Sequence, residues 1–233
     1  MTPAWYKSVT PVQWRSLIAA QLGWMLDAMD VMLYAFALTA IRDEFHLDSA
    51  SAGGLASVTL VASAFGGILF GVLADRIGRA RALIYSILVY SIFTAMTATS
   101  QSISQLILWR TLVGLGLGGE WSAGSVLVSE TWPAEHRGKA IGLMQAGWAI
   151  GYILAALLTA FILPTYGWRV LFAIGVLPAL LTIWIRRNIP EPAVWTVRVR
   201  DRQRGKLMIL EIFRPPLLSK TVIASLMGTC VLF

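Results

Sequence analysis

Cysteine is nearly absent from the 233 residues: Cys230 stands alone, which excludes an internal disulfide. Histidine is almost as scarce, and neither His46 nor His136 lies at metal-ligand spacing from a second His or Cys. Both read as solvated loop residues, and no metal is expected. Charge is thin as well, with 13% Asp, Glu, Lys and Arg, about half the share of an ordinary soluble domain. No nucleophile, base and acid form a hydrolytic constellation, and the polar residues within the apolar stretches are too scattered for a membrane hydrolase. Neither enzyme activity nor a cofactor is expected. No cleavable leader is expected either, because residues 1–16 carry Lys7 and Arg15 but no apolar core or small-residue cleavage site.

Hydrophobic residues make up 57% of the chain. They fall in blocks of a length that crosses a hydrocarbon core of roughly 30 Å as a helix. Six such blocks read as Leu17 to Ile41, Ala52 to Leu73, Ala82 to Thr99, Leu106 to Ser129, Ala140 to Leu163 and Trp168 to Ile185. A seventh starts near Thr221 and stops at Phe233, too short to span. The expected fold is therefore an all-α membrane protein. A cytoplasmic amino terminus (1–16) leads into a six-helix transmembrane bundle (17–185), a basic cytoplasmic linker (186–220) and the start of a truncated seventh helix (221–233).

The net charge of +7 does not signal nucleic acid. With the amino terminus inside, sixteen of the nineteen Lys and Arg fall in inner segments, leaving Arg42 and Arg169 outside and Arg110 within a span. That asymmetry orients the chain in a cell inner membrane. The linker carries a net charge of +6, and its Val197, Val199 and Leu207 to Ile212 suit a helix lying against the inner leaflet, ended by Pro215 and Pro216. Trp5, Tyr6, Trp14, Trp132, Tyr166, Trp168, Trp184 and Trp195 gather near span ends and read as interfacial anchors.

A few residues stand out as carriers of chemistry. Asp27 and Asp30 lie inside the first span, where a carboxylate costs several kcal/mol unless protonated, paired or facing water. Three residues apart, they share one side of a helix, cannot easily both ionise, and are expected to face a central cavity as proton-coupling groups. Glu120 falls at a similar depth in the fourth span and is a second candidate for that role. Arg110 needs a partner, either a first-helix aspartate or the carboxylate of a substrate held by its planar fork. Trp24 and Tyr34 flank the aspartates and are candidates to line a substrate pocket; packing is the competing reading. Small residues at Gly67 and Gly71, Gly114 and Gly118, and Gly147 and Gly151 would let helices approach closely. The glycines at 114 to 119 are no nucleotide loop, since no strand precedes them.

Between the second and third blocks, Gly71 to Arg81 reads GVLADRIGRAR, which resembles the signature loop of the major facilitator superfamily of secondary transporters. RTLVGLGLGGE (Arg110 to Glu120), ETWPAEHRGK (Glu130 to Lys139), and YGWR followed by PEPAVW (Pro190 to Trp195) resemble further motifs of that superfamily. GWMLDAMDVMLYAFAL (Gly23 to Leu38), together with GLGLGGEW (Gly114 to Trp121) and the ETWPAEHRGK loop, is most similar to the sialate and monocarboxylate proton symporters. The resemblance implies the amino-terminal half of a proton-coupled symporter for a small organic anion, a monocarboxylate or an acidic sugar such as sialate. Its partners would be that anion, protons, the lipid bilayer and a missing carboxy-terminal six-helix half. The resemblance also implies gating contacts on the inner face by Asp75, Arg76, Arg79 and Arg81, joined by Glu130, Glu135 and Arg137. Two rivals remain open at the level of sequence: a non-transporting fragment or partner-requiring subunit, and an exporter or a carrier of a neutral sugar or another solute.

Overall fold

The computed structural model describes residues 9–202, 214–215 and 217–232. The anchors Trp5 and Tyr6 and the linker cluster Leu207 to Ile212 lie outside the described residues. Helices α1 (Pro11–Phe45), α2 (Ser49–Ile77), α3 (Arg79–Thr97), α4 (Ile103–Thr131), α5 (Arg137–Ala173) and α6 (Ala179–Asn188) make up the bundle. A short helix, α7 (Ala193–Arg202), follows in the linker, and α8 (Leu217–Leu232) begins four residues before the expected Thr221.

Local chemistry sets the boundaries. Thr10 and Gln13 form a reciprocal capping box with Pro11 in the first turn of α1, and His46 ends that helix in the left-handed region at φ 51°. Asp48 and Ser102 cap α2 and α4 by accepting from the Ser51 and Gln105 amides at 2.9 and 3.3 Å. Only Gly78 separates α2 from α3, and its φ of 115° is open to a residue without a side chain.

α5 runs for 37 residues but breaks at Gly167 (φ 74°, ψ 174°), just after Pro164. The break falls in the gap between the expected fifth and sixth blocks. The sixth block is itself divided into the end of α5, a 3-10 turn at Ile174–Val176 and α6, with Pro178 at the junction. Among the described residues, α1, α2, α3 and the run Arg137–Ile185 are long and apolar enough to cross a membrane. That last run has 49 residues, about 74 Å of helix, enough for two crossings. α4 is long enough at 29 residues but is not among the four, since Arg110, Glu120 and its glycines dilute its apolar surface.

Glycines set the helix contacts. A Cβ at Gly114 would overlap the Thr59 carbonyl oxygen, and one at Gly118 the Ser63 carbonyl oxygen, so α4 lies backbone to backbone on α2. Gly67 meets the same contact from the other side, 3.5 Å from the Gly118 oxygen. Gly147 and Gly151 do the same for α5 against Gln21 and Met25 of α1. Gly71 departs from expectation: nothing lies within 4 Å of its Cβ position, so no helix packs against it there.

The anchor reading is overturned for two tryptophans. Trp132 is buried, donates to the Gln13 carbonyl at 3.0 Å and meets Trp14 edge-on at 5.5 Å. Trp168 is buried and donates to Glu44 at 2.7 Å. Their indole N–H groups find partners inside the protein, tying helix ends together.

Candidate functional site

Asp27, Asp30 and Tyr34 of α1 recur with Gly23 at a spacing that stacks them along one face. Opposite stand Tyr90 and Thr94 of α3, one turn apart, and Arg110 and Glu120 of α4, roughly 15 Å apart along the axis. Tight contacts bring these helices together: a Cβ at Gly116 would lie 2.6 Å from the Tyr90 amide nitrogen, so α4 rides close on α3.

At one level, Arg110 Nη1 donates to Asp30 Oδ2 at 3.1 Å, with both side chains almost fully buried. The other carboxylate oxygen of Asp30 accepts from the Thr94 hydroxyl at 2.6 Å. The Arg110 guanidinium also lies over the Tyr34 ring at 4.4 Å and the Phe172 ring at 6.0 Å. Its Nε and the Tyr34 hydroxyl are buried without hydrogen-bond partners. Arg110 therefore meets an aspartate of the first helix, one of the two partners considered for it.

At the second level lie Asp27 and Glu120, 5% and 2% exposed. Both Glu120 oxygens lack a hydrogen-bond partner, and among the described residues no cation pairs with either carboxylate. Tyr90 stands within electrostatic reach of Asp27, Asp30 and Glu120. The cluster thus sets three carboxylates against one guanidinium. The aspartates do not line an open wall as expected: both are buried in the interior, and Asp30 is reached there by Thr94 of α3 and Arg110 of α4.

Trp24 stands apart from this cluster. It packs against Trp148 of α5 at 4.9 Å and Trp121 of α4 at 6.3 Å between ring centroids, with its own indole nitrogen buried and unpartnered.

The inner-face residues form a separate site. Buried Arg79 donates to Asp75 at 2.7 Å and, through two nitrogens, to both oxygens of Glu130 at 3.0 and 3.1 Å, which ties the α2–α3 corner to the end of α4. Arg76 and Arg81 are exposed. Arg137 donates to the Trp132 carbonyl at 3.4 Å, capping the end of α4. Glu135 stands beside half-buried His136 at 3.6 Å, so His136 is not the solvated residue expected.

Glu191 was not singled out in the sequence, yet its oxygens accept from the Ala80 and Arg81 amides at 3.1 Å each, capping α3 from across the Gly78 turn. Trp195 donates to the Asp75 carbonyl at 3.1 Å. Thr94, Tyr90 and Gly23 were also missed. The only sequence sign of the first two is a polar side chain inside an apolar block.

The Major Facilitator Superfamily profile matches residues 22–233. The chain is 34% identical over 231 residues to the sialic acid transporter NanX of Escherichia coli, covering 99% of this chain and 56% of that protein. It is 39% identical over 180 residues to the cis,cis-muconate transport protein of Acinetobacter baylyi, covering 77% and 44%. Among solved structures, the proton:xylose symporter XylE superposes with a TM-score of 0.73 at 21% identity over 91% of this chain and 52% of that one, a likeness of fold. The chain spans about half the length of the relatives it matches.

Proposed function

The chain belongs to the Major Facilitator Superfamily, a family of multi-pass membrane transporters and not of enzymes, and on that premise we propose that it forms the amino-terminal six-helix half of a proton-coupled symporter for a small organic anion. The observation that carries the reading is the imbalance of the buried cluster, three carboxylates against one guanidinium. A fixed structural ion pair would need only Asp30 and Arg110. Asp27 and Glu120 are surplus to it, and with no cation beside them a proton is the compensation at hand.

In this reading Asp27, Asp30 and Glu120 exchange protons as the two halves of the carrier rock about a midplane site. Arg110 is poised to trade Asp30 for a substrate carboxylate when Asp30 takes up a proton, with its unpartnered Nε and the Tyr34 hydroxyl as further polar handles. Trp24, with Trp121 and Trp148, offers an aromatic wall apart from the charged cluster. Arg79, Asp75 and Glu130 hold the inner face closed, with exposed Arg76 and Arg81 available to the opposing half. Sialic acid and muconate, for which two relatives are named, are carboxylates and support an anionic cargo, which we read as a monocarboxylate or an acidic sugar. The basic loops support an amino terminus and linker on the cytoplasmic side.

The test is uptake of sialate, lactate and an aromatic acid by the complete carrier in proteoliposomes under an imposed pH gradient. An inward proton gradient should drive accumulation of at least one of them. The double variant Asp27→Asn, Asp30→Asn should lose that response, and unchanged pH dependence in it would refute the coupling role.

A further inference from the structure

Glu120 ends against a bare stretch of α1. A Cβ built at Gly23 would overlap its Oε1 and come within 3.0 Å of its Cδ and 3.6 Å of its Cγ. The carboxyl group therefore occupies the space that a side chain at position 23 would fill. That carboxyl is 2% exposed, and neither oxygen has a hydrogen-bond partner. Gly23 lies one turn before Asp27 and two before Asp30 on the same face. The gap in α1 thus admits Glu120 to the level of Asp27.

We propose that Gly23 is a positioning residue: the missing side chain is a notch that seats the Glu120 carboxyl beside Asp27 and so sets how strongly the two share protons. The proposal rests on the reading of Glu120 as a proton site. The titratable and charged groups around the notch are Asp27 and Asp30 on α1, Tyr90 on α3 and Arg110 on α4, with Arg110 already committed to Asp30. The Tyr90 side chain stands beside the carboxyl on α3, but no hydrogen bond from α1 holds it, so its seat against Gly23 is steric. A methyl group at 23 pushes the carboxyl off it. Aspartate at 120, one methylene shorter by ~1.5 Å, withdraws from the clash.

The experiment uses the complete carrier and the five variants Gly23→Ala, Glu120→Asp, Glu120→Gln, Gly23→Ala with Glu120→Asp, and Gly23→Ala with Glu120→Gln. It reads the pH midpoint of uptake, the infrared carbonyl band of protonated carboxyl groups, and the melting temperature. Gly23→Ala should move the midpoint by about one pH unit, a tenfold change in proton affinity, and should displace the infrared band. Adding Glu120→Asp should return the melting temperature toward that of Glu120→Asp alone, a non-additive pair as expected for groups in contact. An unmoved midpoint in Gly23→Ala overturns the proposal, as does the same shift when Gly23→Ala is placed on Glu120→Gln. Should Glu120→Gln keep the parental pH profile, the proton-site reading of Glu120 fails. The notch is then judged by melting alone: rescue of Gly23→Ala by Glu120→Asp upholds the seat, and additive losses remove it. Should Gly23→Ala not fold, recovery of folded protein in the double variant supports the notch and failure to recover counts against it.

Discussion

Replacing Asp30 by asparagine keeps the shape of the side chain and removes its charge. Arg110, 1% exposed, then loses its ion-pair partner while its guanidinium stays in the interior. Stranding a buried charge in this way costs about 3–5 kcal/mol. The Tyr34 and Phe172 rings do not make this good: cation–π contacts are worth about 0.5–2 kcal/mol and are already present in the parent. With about 2–4 °C of melting temperature per kcal/mol for chains of this size, Asp30→Asn should melt roughly 6–20 °C lower. Adding Arg110→Met removes the stranded charge and leaves an apolar side chain of similar reach. Replacement of both members of a buried pair is often neutral or stabilising, so the double variant should recover most of the loss while transport is abolished. Tryptophan fluorescence melts of detergent-purified protein, run as a full double-mutant cycle, measure the coupling. A single variant that melts with the parent, or a double variant whose loss is the sum of the two singles, refutes the pairing as the stabilising element.

Two further outcomes follow from the geometry. Gly118→Ala forces a methyl group onto the Ser63 carbonyl, a backbone atom that cannot step aside, and should cost about 1–3 kcal/mol, whereas Gly71→Ala, with open space around it, should be neutral or gain about 0.5–1 kcal/mol, both read by the same melts. The Ser51 hydroxyl and amide hold the exposed Asp48 carboxylate below its ordinary value of 3.8, so its capping contribution is present above that pH and is lost as pH falls through the lowered folded value. Hydrogen exchange in the first turn of α2 should then separate Asp48→Ala from the parent at neutral pH and bring the two together in acid. A difference that persists unchanged in acid would contradict the cap.

The helical blocks were legible because lipid-length apolar runs are a one-dimensional signal. Their ends were less so: α1 runs six residues before Leu17 and four beyond Ile41, since Thr10, Gln13 and His46 cap it outside the apolar stretch. The sixth block read as continuous, while Pro178 divides it. Asp27, Asp30, Arg110 and Glu120 were visible as charges in apolar surroundings, and the structure brings all four to one cluster. What the sequence hid is what each one touches. Thr94 is 64 positions from Asp30 and Glu191 is 111 from Ala80, and neither residue type is unusual where it stands. The interior direction of the aspartates was hidden for the same reason, because a helical face is not assigned to a neighbour by spacing alone. Gly23 was concealed differently: in a chain with 20 glycines, nothing in the letters separates a glycine that receives a carboxyl group from one that receives a backbone.

Glu191 and Trp195 grip the α2–α3 corner at three backbone groups, the Ala80 and Arg81 amides and the Asp75 carbonyl. The segment leaving the sixth span is therefore fastened to that corner before it continues. A pull on the chain beyond Trp195 is delivered to the start of α3 and to the Arg79 contacts with Asp75 and Glu130, and not to the end of α6.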